Sequence, residues 1–242
     1  MIRAGRPISL ARAIAPVAML ISISSCVVST GMSPRFPSAD STQSGPSSSF
    51  LVESLPNGWR LECIRGTSFA IGLPIDWRND GPPQPVSSGA LVGMSDKERR
   101  STTWFNLLLQ ARAVRLLAVG QIPGREASDV SDGAILVYVR SGDSSQEAAV
   151  AETVRQGLDA YGAPNPIAVE PRLLSGQPGS ALLYEGSTAA GGRYLEDVSV
   201  SWRDERQTLV IATNASEGAA KRSIVTPFAQ TTLATLRKAD CP

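Results

Sequence analysis

The chain of 242 residues contains no histidine, and this absence removes several kinds of active site. Ser-His-Asp and Cys-His mechanisms need an imidazole base, and histidine is also the commonest metal ligand. Lysine is scarce, so a serine–lysine dyad would have to use Lys97, Lys221 or Lys238. Each of these flanks or lies in a predicted helix, where a solvated lysine is the expectation. The sequence therefore indicates no nucleophilic hydrolase of these classes.

Three further signatures are missing, and the charge is nearly balanced. There is no G-x-S-x-G elbow, no G-x-G-x-x-G loop and no phosphate-binding G-x-x-x-x-G-K-[ST] stretch. The formal net charge is +1, and it becomes about −2 once residues 1–25 are set aside. A protein needs a concentrated positive surface to bind nucleic acid, or to bind an anionic membrane by charge alone. Neither partner is expected, and no cofactor is indicated.

The first 25 residues have the parts of a bacterial secretory signal. Three arginines precede an apolar run that is shorter than the roughly 20 residues a membrane-spanning helix needs. The run ends in Ile23-Ser24-Ser25-Cys26, which resembles the lipobox of bacterial lipoproteins. In that family the cysteine thiol receives a diacylglycerol and the signal is cleaved before it. The alternative is an ordinary signal peptide with an incidental cysteine.

The lipoprotein interpretation divides the chain into three parts. Residues 1–25 are the predicted lipoprotein signal peptide, and residues 26–50 are a Ser- and Pro-rich tether anchored by lipid, palmitate included, at Cys26. Residues 51–242 are predicted to form a single globular domain. The expected location is the extracytoplasmic face of the cell membrane, or the outer membrane if the cell has one.

The cysteines suggest a disulfide bond. If Cys26 is acylated, Cys63 and Cys241 remain, and export would place them in an oxidising compartment where two leftover cysteines usually pair. The alternative is two free, buried thiols. With two thiols and no imidazole, a metal site is not expected.

Hydrophobic periodicity predicts alternating strands and helices after residue 58. The predicted strands are 59–65, 68–73, 114–122, 134–140, a short strand near 172–176, 180–187, 193–203 and 207–213. Helices are predicted from Ser95 or Asp96, from Ser144 with Glu147 as its capping-box partner, and from Ser216 or Thr226 to Lys238. One apolar stripe of the second helix is expected to hold Ala151, Val154, Leu158 and Tyr161. The order predicts an α+β domain with an antiparallel sheet flanked by helices, one sheet face buried and the other wetter.

Several sequence segments resemble those of the PsbP-like superfamily. The matching stretches are SFAIGLPIDW (68–77), VRLLAVGQ, GAILVYVRSGDSSQEAAVAETVRQGLDAY, LLSGQPGSALLYEGST, and YLEDVSVSWRDERQTLVIATNAS with the following IVTPFAQTTLATLR. The resemblance covers roughly residues 60–238 and includes the LpqN-type cell-envelope lipoproteins. It implies six or seven antiparallel strands between helices, in α/β/α layers. It also implies a binding role, because the superfamily shares no active site. The proline-rich loop at 79–89 and the pair Cys63 and Cys241 depart from the pattern.

Two sets of residues are candidates for function. Aromatic side chains could line a groove for a lipid or glycan, although such residues usually pack in a core; they are Trp77, Trp104, Tyr184, Tyr194 and Trp202. Glu185 and Glu196 lie in neighbouring predicted strands and could act as the acid and base of a hydrolase. We expect a non-enzymatic, lipid-anchored protein that binds an envelope protein or an apolar or glycan ligand. The carboxylate-dependent hydrolase is the alternative.

Overall fold

The computed structural model describes residues 55–79, 81–123, 130–142, 145–187, 192–204, 207–216 and 220–241, with the backbone alone at 123, 130–131 and 202–204. The predicted signal peptide, Cys26 and every other residue before 55 lie outside this range.

Nine strands and four α-helices make up the described fold. The strands are β1 (Trp59–Ile64), β2 (Phe69–Pro74), β3 (Val114–Pro123), β4 (Val130–Ser141), β5 (Ala168–Leu174), β6 (Gln177–Ser187), β7 (Arg193–Asp204), β8 (Gln207–Ser216) and β9 (Arg237–Lys238). The helices are α1 (Asp96–Gln110), α2 (Gln146–Arg155), α3 (Gly157–Tyr161) and α4 (Arg222–Ala234), and a 3₁₀ turn covers Ser88–Leu91.

The strands form two antiparallel sheets. The larger one has six strands in the order β3-β4-β8-β7-β6-β5, and the smaller one has the order β1-β2-β9. The predicted α+β class, with an antiparallel sheet flanked by helices, is confirmed. The second sheet is an addition to the prediction. Strands β1 and β2 were predicted, but β9 was not, because it is only two residues long and has no periodicity of its own.

Both faces of the large sheet are buried, so the prediction of one wetter face was wrong. One apolar cluster lies between the sheet and helices α1, α2 and α3, and includes Trp104, Tyr138 and Val198. We call this side of the sheet the helix face. The other cluster lies between the sheet, α4 and the small sheet, and includes Ile71 and Leu183. We call that side the small-sheet face. Serines of β7 are buried there as well, which is why the alternation appeared half polar.

Helix α1 begins where a capping box places it. The Ser95 hydroxyl accepts a hydrogen bond from the Glu98 backbone N–H at 3.3 Å, and the Ser95 N–H donates to Glu98 Oε2 at 2.8 Å. Both bonds satisfy donors that a helix start leaves open. Trp104 and Phe105 are buried on the sheet side of the helix, whereas Leu107 is half exposed.

The second predicted helix is broken into two. Helix α2 begins after Ser145, whose hydroxyl accepts from the Ala148 N–H at 3.2 Å, so the predicted capping box of Ser144 and Glu147 was wrong by one residue. Helix α2 ends at Arg155, and α3 starts at Gly157. Because of this break, the buried residues of α2 and α3 do not follow one continuous helical stripe. Ala149, Val150 and Ala160 are buried and Ala151 is exposed, so the predicted stripe was wrong at its first residue.

The last helix, α4, starts at Arg222 and includes Pro227 within its second turn. The predicted starts at Ser216 and Thr226 were both wrong, and so was the predicted end at Lys238, which lies in β9. None of the helices in the described ranges is both long and apolar enough to cross a membrane.

Candidate functional site

The predicted disulfide is present. Cys63, in β1, is bonded to Cys241, and the two Cα atoms are 5.6 Å apart. The bond joins positions 178 residues apart in sequence and fastens the end of the described chain beside the small sheet. The Cys26 lipidation site lies outside the described residues and stays a prediction.

Trp77 does not lie with the other groove candidates. Its ring is buried on the small-sheet face, where it stacks on Phe228 of α4 at a centroid distance of 5.3 Å. Its indole Nε1 donates to the Gln121 carbonyl at 3.3 Å. A Cβ at Gly120 would overlap the Trp77 ring, so this glycine allows the ring to lie directly on β3.

Trp104, Tyr184 and Tyr194 lie on the helix face, and all three side chains are buried. Trp104 meets Tyr138 edge-on, with ring centroids 5.6 Å apart. The structure therefore divides the predicted groove between two sides of the sheet, with the aromatic rings packed in its two cores. Trp202 belongs to β7, and its side chain is not among those described.

The two candidate carboxylates also lie on opposite faces of the sheet. Glu196 pairs in register with Tyr184, while Glu185 pairs with Leu195, so the two side chains point to different sides. Glu185 forms an ion pair with Arg193 at 2.5 Å near the solvent. Two groups separated by a sheet cannot act on one glycosidic bond, so the predicted acid–base pairing of Glu185 and Glu196 was wrong.

Glu196 instead belongs to a buried polar cluster on the helix face. Tyr184, Glu196 and Asn214 form one row across β6, β7 and β8, because each is the register partner of the next. Tyr161, at the end of α3, packs on Tyr184 with ring centroids 4.4 Å apart. The Tyr194 hydroxyl donates to the Tyr161 carbonyl, which links β7 to α3. We call Glu196, Tyr161, Tyr184, Tyr194 and Asn214 the Glu196 cluster.

Burial controls the electrostatics of this cluster. Glu196 is 0% exposed, and no basic side chain of the described residues forms an ion pair with it. Desolvation raises the pKa of Glu196 well above its ordinary value; the nearby polar side chain of Asn214 opposes the rise, and the neighbouring Asp197 charge adds to it. Burial therefore favours the protonated form of this carboxyl at pH values where an exposed glutamate is already ionised.

The tyrosines respond to the same environment. Burial, and then the Glu196 charge, raise the pKa of Tyr194 above its ordinary value. For Tyr161 and Tyr184 the order of causes is burial, Tyr138 and then Glu196, and both pKa values rise. The Tyr184 hydroxyl is buried without a hydrogen-bond partner among the described residues. The side chains of these three tyrosines therefore remain neutral over the pH range in which most proteins are stable.

Helix α3 covers the cluster closely. At Gly157, a Cβ would lie 2.9 Å from the Tyr184 hydroxyl oxygen and 2.8 Å from the Ala163 carbonyl oxygen, so only glycine lets the helix approach this far. Lys97 of α1 lies above Tyr194, with its Nζ 5.4 Å from the ring centroid, and donates to the Ser187 carbonyl at 3.0 Å. Burial, with the charge of Arg100, lowers the pKa of Lys97.

On the small-sheet face, β5 and β7 share a different buried polar group. Arg172 forms a two-bond ion pair with Asp197, one bond being 3.0 Å from Nη2 to Oδ2, and Nη1 also donates to the Ser199 hydroxyl at 2.7 Å. Adjacent residues of one strand thus carry one paired carboxylate and one unpaired carboxyl on opposite faces.

The sequence contains a signal for the Glu196 cluster. Glu196 has the same parity along its strand as Tyr194, Val198 and Val200, and those apolar and aromatic residues mark a buried face. A glutamate at a core position is a candidate for a perturbed group. Neither Asn214 nor the α3 contact could be inferred, because both depend on long-range packing.

No protein-family model matches the chain, and neither does any curated protein. Among solved structures, the Ran-binding protein Mog1p of Saccharomyces cerevisiae is 12% identical, with 77% of this chain and 97% of that one covered and a TM-score of 0.43. LpqN of Mycobacterium tuberculosis, a protein involved in cell envelope biogenesis, is 14% identical, with 71% and 83% covered and a TM-score of 0.37.

A structure from Bacteroides thetaiotaomicron is 11% identical with a TM-score of 0.39; the match covers 73% of this chain, which spans about half (47%) of that one. These are distant likenesses of fold, and they transfer neither family membership nor function to this chain.

Proposed function

We propose that the chain is a lipid-anchored protein of the cell envelope that faces away from the cytoplasm and acts by binding a partner without catalysis. The observation that carries the proposal is the Cys63–Cys241 disulfide. Structural disulfides form and persist in exported proteins and are rare in the cytoplasm of most organisms. The bond therefore supports the export that the residues before Cys26 predict.

The anchor follows from the same pairing. With Cys63 and Cys241 bonded to each other, Cys26 is the one remaining cysteine of the sequence. It stands at the lipobox position after Ile23-Ser24-Ser25, and a Ser- and Pro-rich segment follows it. A short tether of this composition confines a domain near a membrane and raises its effective concentration for partners in the same envelope.

The non-catalytic part of the proposal is supported by the placement of the carboxylates. Glu196 is fully buried beneath the helices and Glu185 is paired with Arg193 on the other side of the sheet. Of the aromatic residues expected to line a groove, the four whose side chains are described are all buried; they are Trp77, Trp104, Tyr184 and Tyr194. This favours a protein partner over a lipid or glycan held in a groove.

Metabolic labelling with an alkyne fatty acid tests the anchor. The wild-type chain should be labelled and recovered with membranes, whereas Cys26→Ala should lose both properties. The matched control is the double variant Cys63→Ser/Cys241→Ser, which should keep the label. Equal labelling of wild type and Cys26→Ala would refute the anchor.

The binding role needs a separate experiment. Crosslinking in intact cells, with wild type and Cys26→Ala expressed at equal levels, should give a crosslinked protein species that weakens when the anchor is lost. A species of equal strength in both strains would show that the anchor does not promote binding.

A further inference from the structure

We propose that Glu196 and helix α3 form a pH-sensitive latch: the helix is held on the sheet while Glu196 carries its proton and is released when the carboxyl ionises. This inference concerns a device within the domain, and it does not depend on the lipid anchor.

The geometry places the carboxyl among the tyrosines that connect α3 to the sheet. Glu196 is 0% exposed and its register partner Tyr184 contacts Tyr161 and Gly157 of that helix. The Tyr194 hydroxyl, on the same strand as Glu196, donates to the carbonyl of Tyr161. The helix has only five residues and also packs against α1 and α2, so the contacts with Tyr184 and Tyr194 are those that join it to the sheet.

The groups that face Glu196 carry no positive charge. They are Tyr161 from α3, Tyr184 from β6, Tyr194 from β7 and Asn214 from β8, with Tyr138 of β4 next to Tyr161 and Tyr184. Lys97 of α1 lies over the Tyr194 ring and bonds to the Ser187 carbonyl. On the other face, Asp197 is held by Arg172.

Neither carboxyl oxygen of Glu196 has a hydrogen-bond partner among the described residues. An ionised Glu196 would thus be a buried charge without a direct partner, and such a charge is strongly unfavourable unless water reaches it.

The sign of the pH effect follows from proton linkage. In a water-exposed state the carboxyl ionises near its ordinary pKa of about 4.3, whereas burial raises the pKa of Glu196 in the closed state. Between these two values the closed state binds a proton that the open state has released, so rising pH favours opening by about tenfold per pH unit. Below about pH 4 the group is protonated in both states and exerts no bias.

Hydrogen exchange of the full chain in detergent, measured from pH 5 to pH 9, tests the latch. At each pH the wild type is compared with Glu196→Gln, which preserves size and cannot ionise, so intrinsic exchange rates cancel. In the wild type the opening constant of residues 157–161 should rise relative to the variant as the pH increases, by up to about tenfold per pH unit while the closed state keeps its proton. Residues 222–234, in α4 on the opposite face, should differ much less between the two proteins.

The matched control is Glu185→Gln, which removes a carboxylate from the neighbouring strand, near the solvent, and should behave as the wild type does. Identical protection of α3 in wild type and Glu196→Gln at every pH would overturn the latch. Equal loss of protection in α3 and α4 would also overturn it, because it would show global unfolding.

A second measurement uses the wild type alone and does not require a variant to fold. Infrared spectroscopy should show the carbonyl band of a neutral carboxylic acid at pH 7, where exposed carboxyls are ionised. The band should disappear reversibly at higher pH together with the protection of α3. Absence of the band at pH 7 would contradict the proposal.

Discussion

Tyr184 and Glu196 are register partners on β6 and β7, and both point into the core beneath α3. Neither side chain is exposed to solvent, and the Tyr184 hydroxyl has no hydrogen-bond partner among the described residues. The chain therefore keeps two costly polar groups side by side in its interior. A polar group retained in a core without full compensation lowers stability, and its removal is informative.

Tyr184→Phe should leave stability unchanged or raise it by about 1 kcal/mol, because it removes a buried hydroxyl that forms no hydrogen bond. Tyr194→Phe is the matched comparison, since its hydroxyl donates to the Tyr161 carbonyl. Losing that bond should cost about 1 kcal/mol. Urea denaturation at pH 7 gives both free energies of unfolding. A Tyr184→Phe variant less stable than Tyr194→Phe would contradict the assigned contacts.

The ion pair of Arg172 and Asp197 gives a second prediction. Both side chains are at least nine-tenths buried, so Asp197→Asn or Arg172→Met alone should leave one group unpaired and cost about 3–5 kcal/mol. The double variant Arg172→Met/Asp197→Leu should recover most of that loss, since apolar replacements often match a buried ion pair. A double-mutant cycle by urea denaturation measures the coupling. Simple additivity of the single changes would contradict a direct pairing.

The disulfide should make a large contribution to stability. It closes a loop of 178 residues, and Cys63→Ser/Cys241→Ser should lower the free energy of unfolding by about 2–5 kcal/mol. Wild type treated with dithiothreitol should unfold at the same denaturant concentration as the double variant. A wild type that is insensitive to the reductant would mean that the two cysteines are not bonded in solution.

Gly120→Ala tests the packing of Trp77 on β3. The added methyl group would overlap the indole ring, and overpacking of this kind costs about 1–3 kcal/mol. In a Trp77→Leu background the same substitution should cost less than about 0.5 kcal/mol, because the smaller side chain leaves room for the methyl group. Thermal or urea unfolding of the four proteins gives the comparison. An equal cost in both backgrounds would place the obstruction elsewhere.

Elements with a strong local signal could be predicted from the sequence. Helix α1 starts at Asp96 with Ser95 as its cap, as the two predicted starts allow, and Gly162, with a φ of 67°, ends α3. Regular alternation identified β6, β7 and β8 to within a few residues. In each case the residues that specify the element lie inside it or next to it.

Elements specified by distant partners could not be predicted. The short strand β9 exists because Arg237 and Lys238 pair with β2, and the break between α2 and α3 exists because Gly157 must approach Tyr184. The position of Glu196 under α3 depends on the same packing. The disulfide was predictable for a different reason, since counting cysteines constrains a pairing without any knowledge of the fold.

Mass spectrometry of the mature N-terminal peptide tests the central claim, the lipid anchor at Cys26, most directly. The proposal predicts a purified chain whose first residue is Cys26, with a diacylglycerol on its sulfur and no residues from 1–25 attached. A chain that keeps residues 1–25, or that has an unmodified thiol at Cys26 after cleavage, would contradict it.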